Sequence, residues 1–182
     1  SALRTGSGLV TCHLEKSERQ ILQIAVPEAM TLWGNPDKLE NYDAIGIGPG
    51  WGLEDRNDLF LNLIKNFKKP LVLDADALNL LAANPEWLSK LPENSILTPH
   101  LGEFERLVGK SKNHLERLES AREFASKYRV ILVLKGAHTV VSFPDGRQVF
   151  NSSGTHYMAT GGAGDVLTGM LTAFLGMGYS PE

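Results

Sequence analysis

Thr160-Gly161-Gly162-Ala163-Gly164-Asp165-Val166-Leu167-Thr168-Gly169 places a glycine-dense turn directly before an apolar stretch over 166–175. Glycine accepts positive φ and lets a ligand approach the backbone closely. The first N–H groups of a helix have no intrahelical acceptor, and with the positive end of the dipole they form an anion site whose natural occupant is phosphate. Asp165 is the odd member, because a carboxylate there repels phosphate unless it handles a proton or a metal. It is therefore a base candidate, although a carboxylate at a helix start can equally cap the helix, a role worth about 1 kcal/mol. A Walker A loop needs Lys and Ser or Thr after its last glycine, and the dinucleotide fingerprint needs G-x-G-x-x-G after a first strand. Neither is present, so another phosphoryl-transfer site is implied.

Other chemistry-bearing residues stand where strands should end. His100, in Thr98-Pro99-His100, follows a short apolar run, the usual place for ligand groups in an open α/β sheet. Glu103 lies one helical turn later; it can reach magnesium through water, or serve the dipole of a helix starting near Leu101. Asp74 and Asp76 flank another strand end. Paired carboxylates can serve metal or catalysis, but Asp76 also suits the cap of a short helix over 77–82, and both are left outside the site.

The elements that must position these residues follow from periodicity. Apolar runs at 9–12, 21–26, 44–47, 71–73, 95–97 and 130–134 suit strands covered on both faces, which implies a parallel sheet. Leu59, Phe60, Leu63, Ile64 and Phe67 recur at helical spacing, as do Leu101, Phe104, Leu107 and Val108, and then Leu115, Leu118, Ala121, Phe124 and Ala125. Strands alternating with such helices mark an α/β fold. Alternation on both sides of Pro144-Asp145-Gly146 reads as a β-hairpin.

Composition narrows the function classes. With 182 residues, 42% hydrophobic and 21% charged, the chain has the makings of one globular domain. A net charge of -3 with no Lys/Arg run disfavours nucleic acid, and no apolar stretch is long enough to span a bilayer. The single cysteine, Cys12, cannot form an intramolecular disulfide, which fits a reducing cytoplasm.

The run 160–165 resembles the anion hole and catalytic aspartate of the ribokinase-like superfamily. Within it, four further stretches resemble the ADP/ATP-dependent NAD(P)H-hydrate dehydratase family: Gly46-Ile47-Gly48-Pro49-Gly50-Trp51-Gly52, Leu73-Asp74-Ala75-Asp76-Ala77-Leu78-Asn79, Leu97-Thr98-Pro99-His100-Leu101-Gly102-Glu103-Phe104, and Leu134-Lys135-Gly136-Ala137-His138-Thr139. Their order and spacing agree with the family over essentially the whole chain. The resemblance implies a three-layer α/β/α fold with a mostly parallel sheet and a hairpin near the nucleotide. It implies that hydrated NADH or NADPH is phosphorylated on its hydroxyl by ADP or ATP, with Mg2+ present, and then loses phosphate; no motif decides the donor, and a compact domain with no visible targeting segment makes ADP the expected one and ATP the alternative.

By the same resemblance, Asp165 is the catalytic base and also touches the hydrate. Lys135, Gly136, Ala137, His138 and Thr139 hold the nucleotide with Gly161, Gly162, Ala163 and Gly164; Gly48, Gly50, Gly52 and His100 line the hydrate pocket. Trp51 stands where the family commonly has a smaller aliphatic residue, and its ring either stacks on substrate or packs. His13, His114 and His156 carry no assigned role. Residues 1–182 are expected to form a single catalytic domain lacking the family's N-terminal glycine-rich segment and its C-terminal elements. A homo-oligomer is expected, since bacterial relatives form tetramers. The rival readings are a ribokinase-like kinase for a hydroxymethylpyrimidine, thiazole or sugar, and a silent nucleotide-binding module.

Overall fold

The computed structural model describes residues 1–36, 38–154 and 160–182; His156 lies outside them. Among these residues the main sheet has six strands in the spatial order of the sequence: β3 (Ile45–Ile47), β4 (Leu71–Leu73), β5 (Ile96–Leu97), β6 (Ile131–Leu134), β7 (Val140–Ser142) and β8 (Gln148–Phe150). β3 to β6 run parallel, and β7 and β8 turn back antiparallel as the expected hairpin. The helices between them are α3 (Asn57–Asn66), α4 (Ala75–Ala83), α5 (Leu101–Val108) and α6 (His114–Tyr128), and α7 (Ala163–Gly176) follows the hairpin.

The strands divide their side chains by the two-residue period. Leu71, Leu73, Leu97, Leu132 and Leu134 join one apolar core with Phe60 and Ile64 of α3, Leu78 and Leu81 of α4, Phe104 of α5 and Phe124 of α6. Ile96 faces the other way, toward Leu171, Phe174 and Leu175 of α7. Gly46 of β3 points into α7 as well: a Cβ there would meet the Thr172 hydroxyl at 2.3 Å, so the strand and helix pack through the missing side chain. The result is the expected α/β/α sandwich, with α7 and the short α1 (Ala2–Thr5) packed together on the second face.

One expectation fails. The segment 21–26 is not a strand but belongs to α2 (Arg19–Ala25), and the strand of that region is β2 (Met30–Leu32), paired parallel with β1 (Thr11–His13) in a separate two-stranded sheet. Its apolar run suggested a strand covered on both faces, yet Ile21 and Ile24 are 66% and 84% exposed, so no buried sheet face selects that conformation. Cys12 sits half-buried in β1, and burial pushes its thiol above the ordinary cysteine range, which leaves it a packing residue. No helix among the described residues is long and apolar enough to cross a membrane.

Candidate active site

Parallel strands deliver their carboxyl ends to one rim: β3 runs into the glycine loop 48–52, β4 into Asp74, β5 into Thr98-Pro99-His100, and β6 into Lys135. The last two are direct neighbours. Lys135 forms a parallel bridge with His100, and its backbone N–H donates to the Pro99 carbonyl at 2.8 Å.

The group that ties the rim together is one that sequence reasoning set aside. Asp74 is only 2% exposed. Its Oδ1 accepts from Lys135 Nζ at 2.8 Å, and its Oδ2 accepts from the Thr168 hydroxyl of α7 at 3.1 Å. The start of α7 lies against this pair, since a Cβ on Gly164 would come 3.2 Å from Asp74 Oδ2 and 3.6 Å from Lys135 Nζ. A buried charge must be paired to be tolerated, and here lysine and hydroxyl share that task. The signal was a carboxylate closing a strand whose residues are all apolar; what sequence could not show was that β6 and α7 converge on it.

Ala75 follows with φ 45, a left-handed conformation that costs a residue with a Cβ roughly 1 kcal/mol or more. The turn separates the two carboxylates. Asp76 is not the cap expected of it: α4 already begins at Ala75, and Asp76 Oδ2 accepts from the Gly52 N–H at 2.8 Å. The glycine loop is thereby held from α4. It is also held from its other side, where Arg56 Nε donates to the Trp51 carbonyl at 3.3 Å and the Trp51 ring packs edge-on against Phe60 at 5.8 Å. Trp51 therefore packs. Gly48, at φ 129, leaves no room for a side chain, because a Cβ would fall 1.7 Å from the Asp74 carbonyl oxygen.

At α7 the arrangement is open. Gly162, at φ 84, is the N-cap, so Asp165 does not fill that role. Ala163 N–H donates to the Thr160 carbonyl and Val166 N–H to that of Gly162, whereas the N–H groups of Gly164 and Asp165 meet no backbone acceptor among the described residues. The Asp165 side chain lies in the exposed first turn. Glycine entry, free N–H groups and the adjacent ammonium of Lys135 fit a polyphosphate.

His100 and Glu103 are engaged with each other. His100 Nδ1 accepts from the N–H groups of Gly102 at 3.0 Å and Glu103 at 3.4 Å, while Glu103 Oε2 accepts from the His100 N–H at 2.8 Å: a capping box for α5. Glu103 Oε1 lies 3.4 Å from His100 Nε2. The buried Glu103 carboxylate thus takes the helix-start alternative, with both oxygens directed at His100. The ring is more than half exposed at the rim. No cluster of three or more His, Cys, Asp or Glu among the described residues is placed to hold a metal.

Gly136, Ala137 and His138 form an exposed turn between β6 and β7, in which the Thr139 hydroxyl donates to the Gly136 carbonyl at 3.3 Å. Gly154 comes back against it: a Cβ there would sit 2.6 Å from the Ala137 carbonyl oxygen. Gly136, Ala137 and His138 thus lie exposed directly after Lys135.

The family model for NAD(P)H-hydrate dehydratase matches residues 1–182. The chain belongs to that family. It is 41% identical to the bifunctional NAD(P)H-hydrate repair enzyme of Escherichia coli, over 100% of this chain and 36% of that one. It is 40% identical to the ADP-dependent (S)-NAD(P)H-hydrate dehydratase of Lactococcus lactis, over 96% of this chain and 65% of that one. The crystal structure of the ADP/ATP-dependent NAD(P)H-hydrate dehydratase from Bacillus subtilis, co-crystallized with ATP/Mg2+, matches with a TM-score of 0.80 and 32% identity, covering 99% of this chain and 66% of that one. A hydroxyethylthiazole kinase of Pyrococcus horikoshii, at 20% identity and TM-score 0.61 over 96% of this chain and 74% of that one, shares the fold alone. The family member described here spans little more than a third of the bifunctional relatives' length.

Proposed function

We propose that this chain carries the active site of a nucleotide-dependent (S)-NAD(P)H-hydrate dehydratase, with ADP as the donor and ATP the alternative, in a homo-oligomeric protein of the cytoplasm. The observation that carries the reading is the pairing of an open, glycine-entered helix start with a carboxylate in its first turn, beside a lysine that closes a strand. Kinase-type phosphoryl transfer is positioning plus charge stabilisation, and this rim supplies both. Family membership over the whole chain selects the hydrate among possible acceptors, and the Lactococcus and Bacillus names support the donor.

In this scheme the donor's terminal phosphate meets the N–H groups of Gly164 and Asp165, with Gly161, Gly162 and Ala163 leaving the approach clear. Lys135 Nζ neutralises the phosphoryl oxygens, and the 136–139 turn holds the rest of the nucleotide. The hydrate lies across the loop of Gly48, Gly50 and Gly52 with His100 at its edge. Asp165 removes the proton from the hydrate hydroxyl as that oxygen attacks the terminal phosphorus and the bond to the donor's bridging oxygen breaks. The phosphate ester then leaves as inorganic phosphate, taking the C–O bonding pair, while loss of a neighbouring ring proton restores the dihydropyridine double bond. Magnesium, when bound with the nucleotide, adds charge neutralisation at the phosphates.

The test is recovery of the reduced nicotinamide's near-ultraviolet absorbance from hydrated NADPH and magnesium, with ADP and ATP supplied in parallel. Recovery should require a nucleotide and be faster with ADP. Asp165→Asn should fold normally and slow recovery by about 10³-fold, the scale of general-base catalysis. Retained turnover in Asp165→Asn would remove the base from the scheme. Nucleotide consumption with a hydroxymethylpyrimidine or thiazole alcohol, but none with the hydrate, would make the protein a small-molecule kinase.

A further inference from the structure

Asp74 lies outside every role assigned above, yet it is the most buried carboxylate at the rim and the point where three elements meet. We propose that Asp74 is a positioning residue: it fixes the Lys135 ammonium and the first turns of α7 relative to one another, so that lysine and helix N–H groups act on the same phosphoryl group. The inference rests on the dehydratase reading for its reaction, but not for its geometry.

Three observations carry it. First, both oxygens are used by different elements: Oδ1 by Lys135 at the end of β6, Oδ2 by Thr168 on α7. The carboxylate therefore spans the gap between strand and helix. Second, the position of the carboxylate is itself over-determined. Its backbone N–H donates to the Ile47 carbonyl at 3.0 Å, its carbonyl accepts from Ala77 N–H at 3.1 Å, and Gly48 packs directly on that carbonyl. Third, Ala75 is kept in a left-handed conformation immediately after it. Strain at a strand-to-helix junction persists where the surroundings hold it.

Lys135 is a quarter exposed, so one face of its ammonium remains available while another holds Asp74. An ammonium has three donors. Asp74 can hold one without competing for the phosphoryl oxygens. A lysine left on its own four-carbon stem would sample many rotamers, and the cost of ordering it would fall on the transition state. Loss of Asp74 should therefore act on turnover more than on nucleotide affinity.

The experiment is a double-mutant cycle in the full-length protein with Asp74→Asn, Lys135→Met and the pair, reading kcat for hydrate repair and the calorimetric Kd for ADP. Asparagine keeps the shape of the side chain and an acceptor for Thr168. Asp74→Asn is expected to lower kcat by about tenfold or more while changing the ADP Kd less than about threefold, and the double variant should be no slower than Lys135→Met alone, because a residue acting through another has no effect once that other is gone. Losses that multiply in the double variant, or an Asp74→Asn turnover within twofold of the parent, overturn the proposal. Should Asp74→Asn not fold, Thr168→Val removes only the helix-side bond and is expected to give a smaller kcat loss with unchanged Kd; an unaltered kcat there overturns the proposal equally. If the parent protein repairs no hydrate but phosphorylates a hydroxymethylpyrimidine or thiazole alcohol, the dehydratase reading fails while the positioning role is still decided, by the same cycle read in kcat for that alcohol.

Discussion

The two glycine-rich segments at this rim use glycine in opposite ways. In the loop 48–52 the deciding glycine is Gly48, because the Asp74 carbonyl stands where its side chain would be; Gly50 and Gly52 supply positive φ, and Asp76, Arg56 and Phe60 hold the loop from both sides. At the start of α7 nothing among the described residues lies within 4 Å of a Cβ built on Gly161 or Gly162, and the N–H groups of Gly164 and Asp165 meet no backbone acceptor among them. One segment is a wall, finished before any ligand arrives. The other is, in the proposed scheme, a receptor whose hydrogen bonds are left for the ligand to complete. In sequence they look alike, and the difference lies in what the rest of the chain brings up to each.

Alanine substitution should separate the two. Gly48→Ala is the largest expected effect, because it combines a positive φ with a collision against backbone that cannot swing aside. It should cost more than about 4 kcal/mol, the range reserved for core disruption, and be seen as failure to fold or a collapse of the thermal midpoint. A well-folded Gly48→Ala protein would mean that the wall can yield. Asp76→Asn comes next. It weakens a charge-assisted bond to the Gly52 N–H without removing the acceptor shape, and should cost about 1 kcal/mol by denaturant titration while raising KM for the hydrate with ADP binding unchanged. If ADP binding suffered instead, the loop would not belong to the hydrate side.

How much of this was legible beforehand follows the same division. The sheet and its helices could be read because their signals are periodic and local: Leu71-Val72-Leu73 is apolar throughout and becomes a strand covered on both faces, and Phe60, Leu63 and Ile64 recur at helical spacing and are buried together. The glycine entry to α7 was legible because its residues are contiguous. Asp74 was not, because its partners lie 61 and 94 residues away and meet it only through the fold. Asp76 was misassigned for the same reason: position suggested a cap, but Gly52 had been carried within its reach. The exposed Ile21 and Ile24 misled in the other direction, since an apolar run predicts a strand only where a buried sheet face receives it.

The smallest stability effects should come from the receptor, and they sharpen the comparison most. Gly162→Ala has room for its methyl group but must hold φ 84, so it should lose about 1 kcal/mol from conformation alone. Gly161→Ala has room and no positive φ, and its stability should change by less than about 0.5 kcal/mol, as for a surface substitution. Its ligand affinity should not be spared. A methyl group projecting into space reserved for phosphate obstructs the close backbone approach that defines this site, so the calorimetric Kd for ADP should rise by about tenfold while the melting midpoint stays in place, a penalty of about 1.4 kcal/mol confined to the bound state. A Gly161→Ala protein with parental affinity would place the phosphates elsewhere on the rim; one that loses affinity and stability together would show that this segment is a wall too.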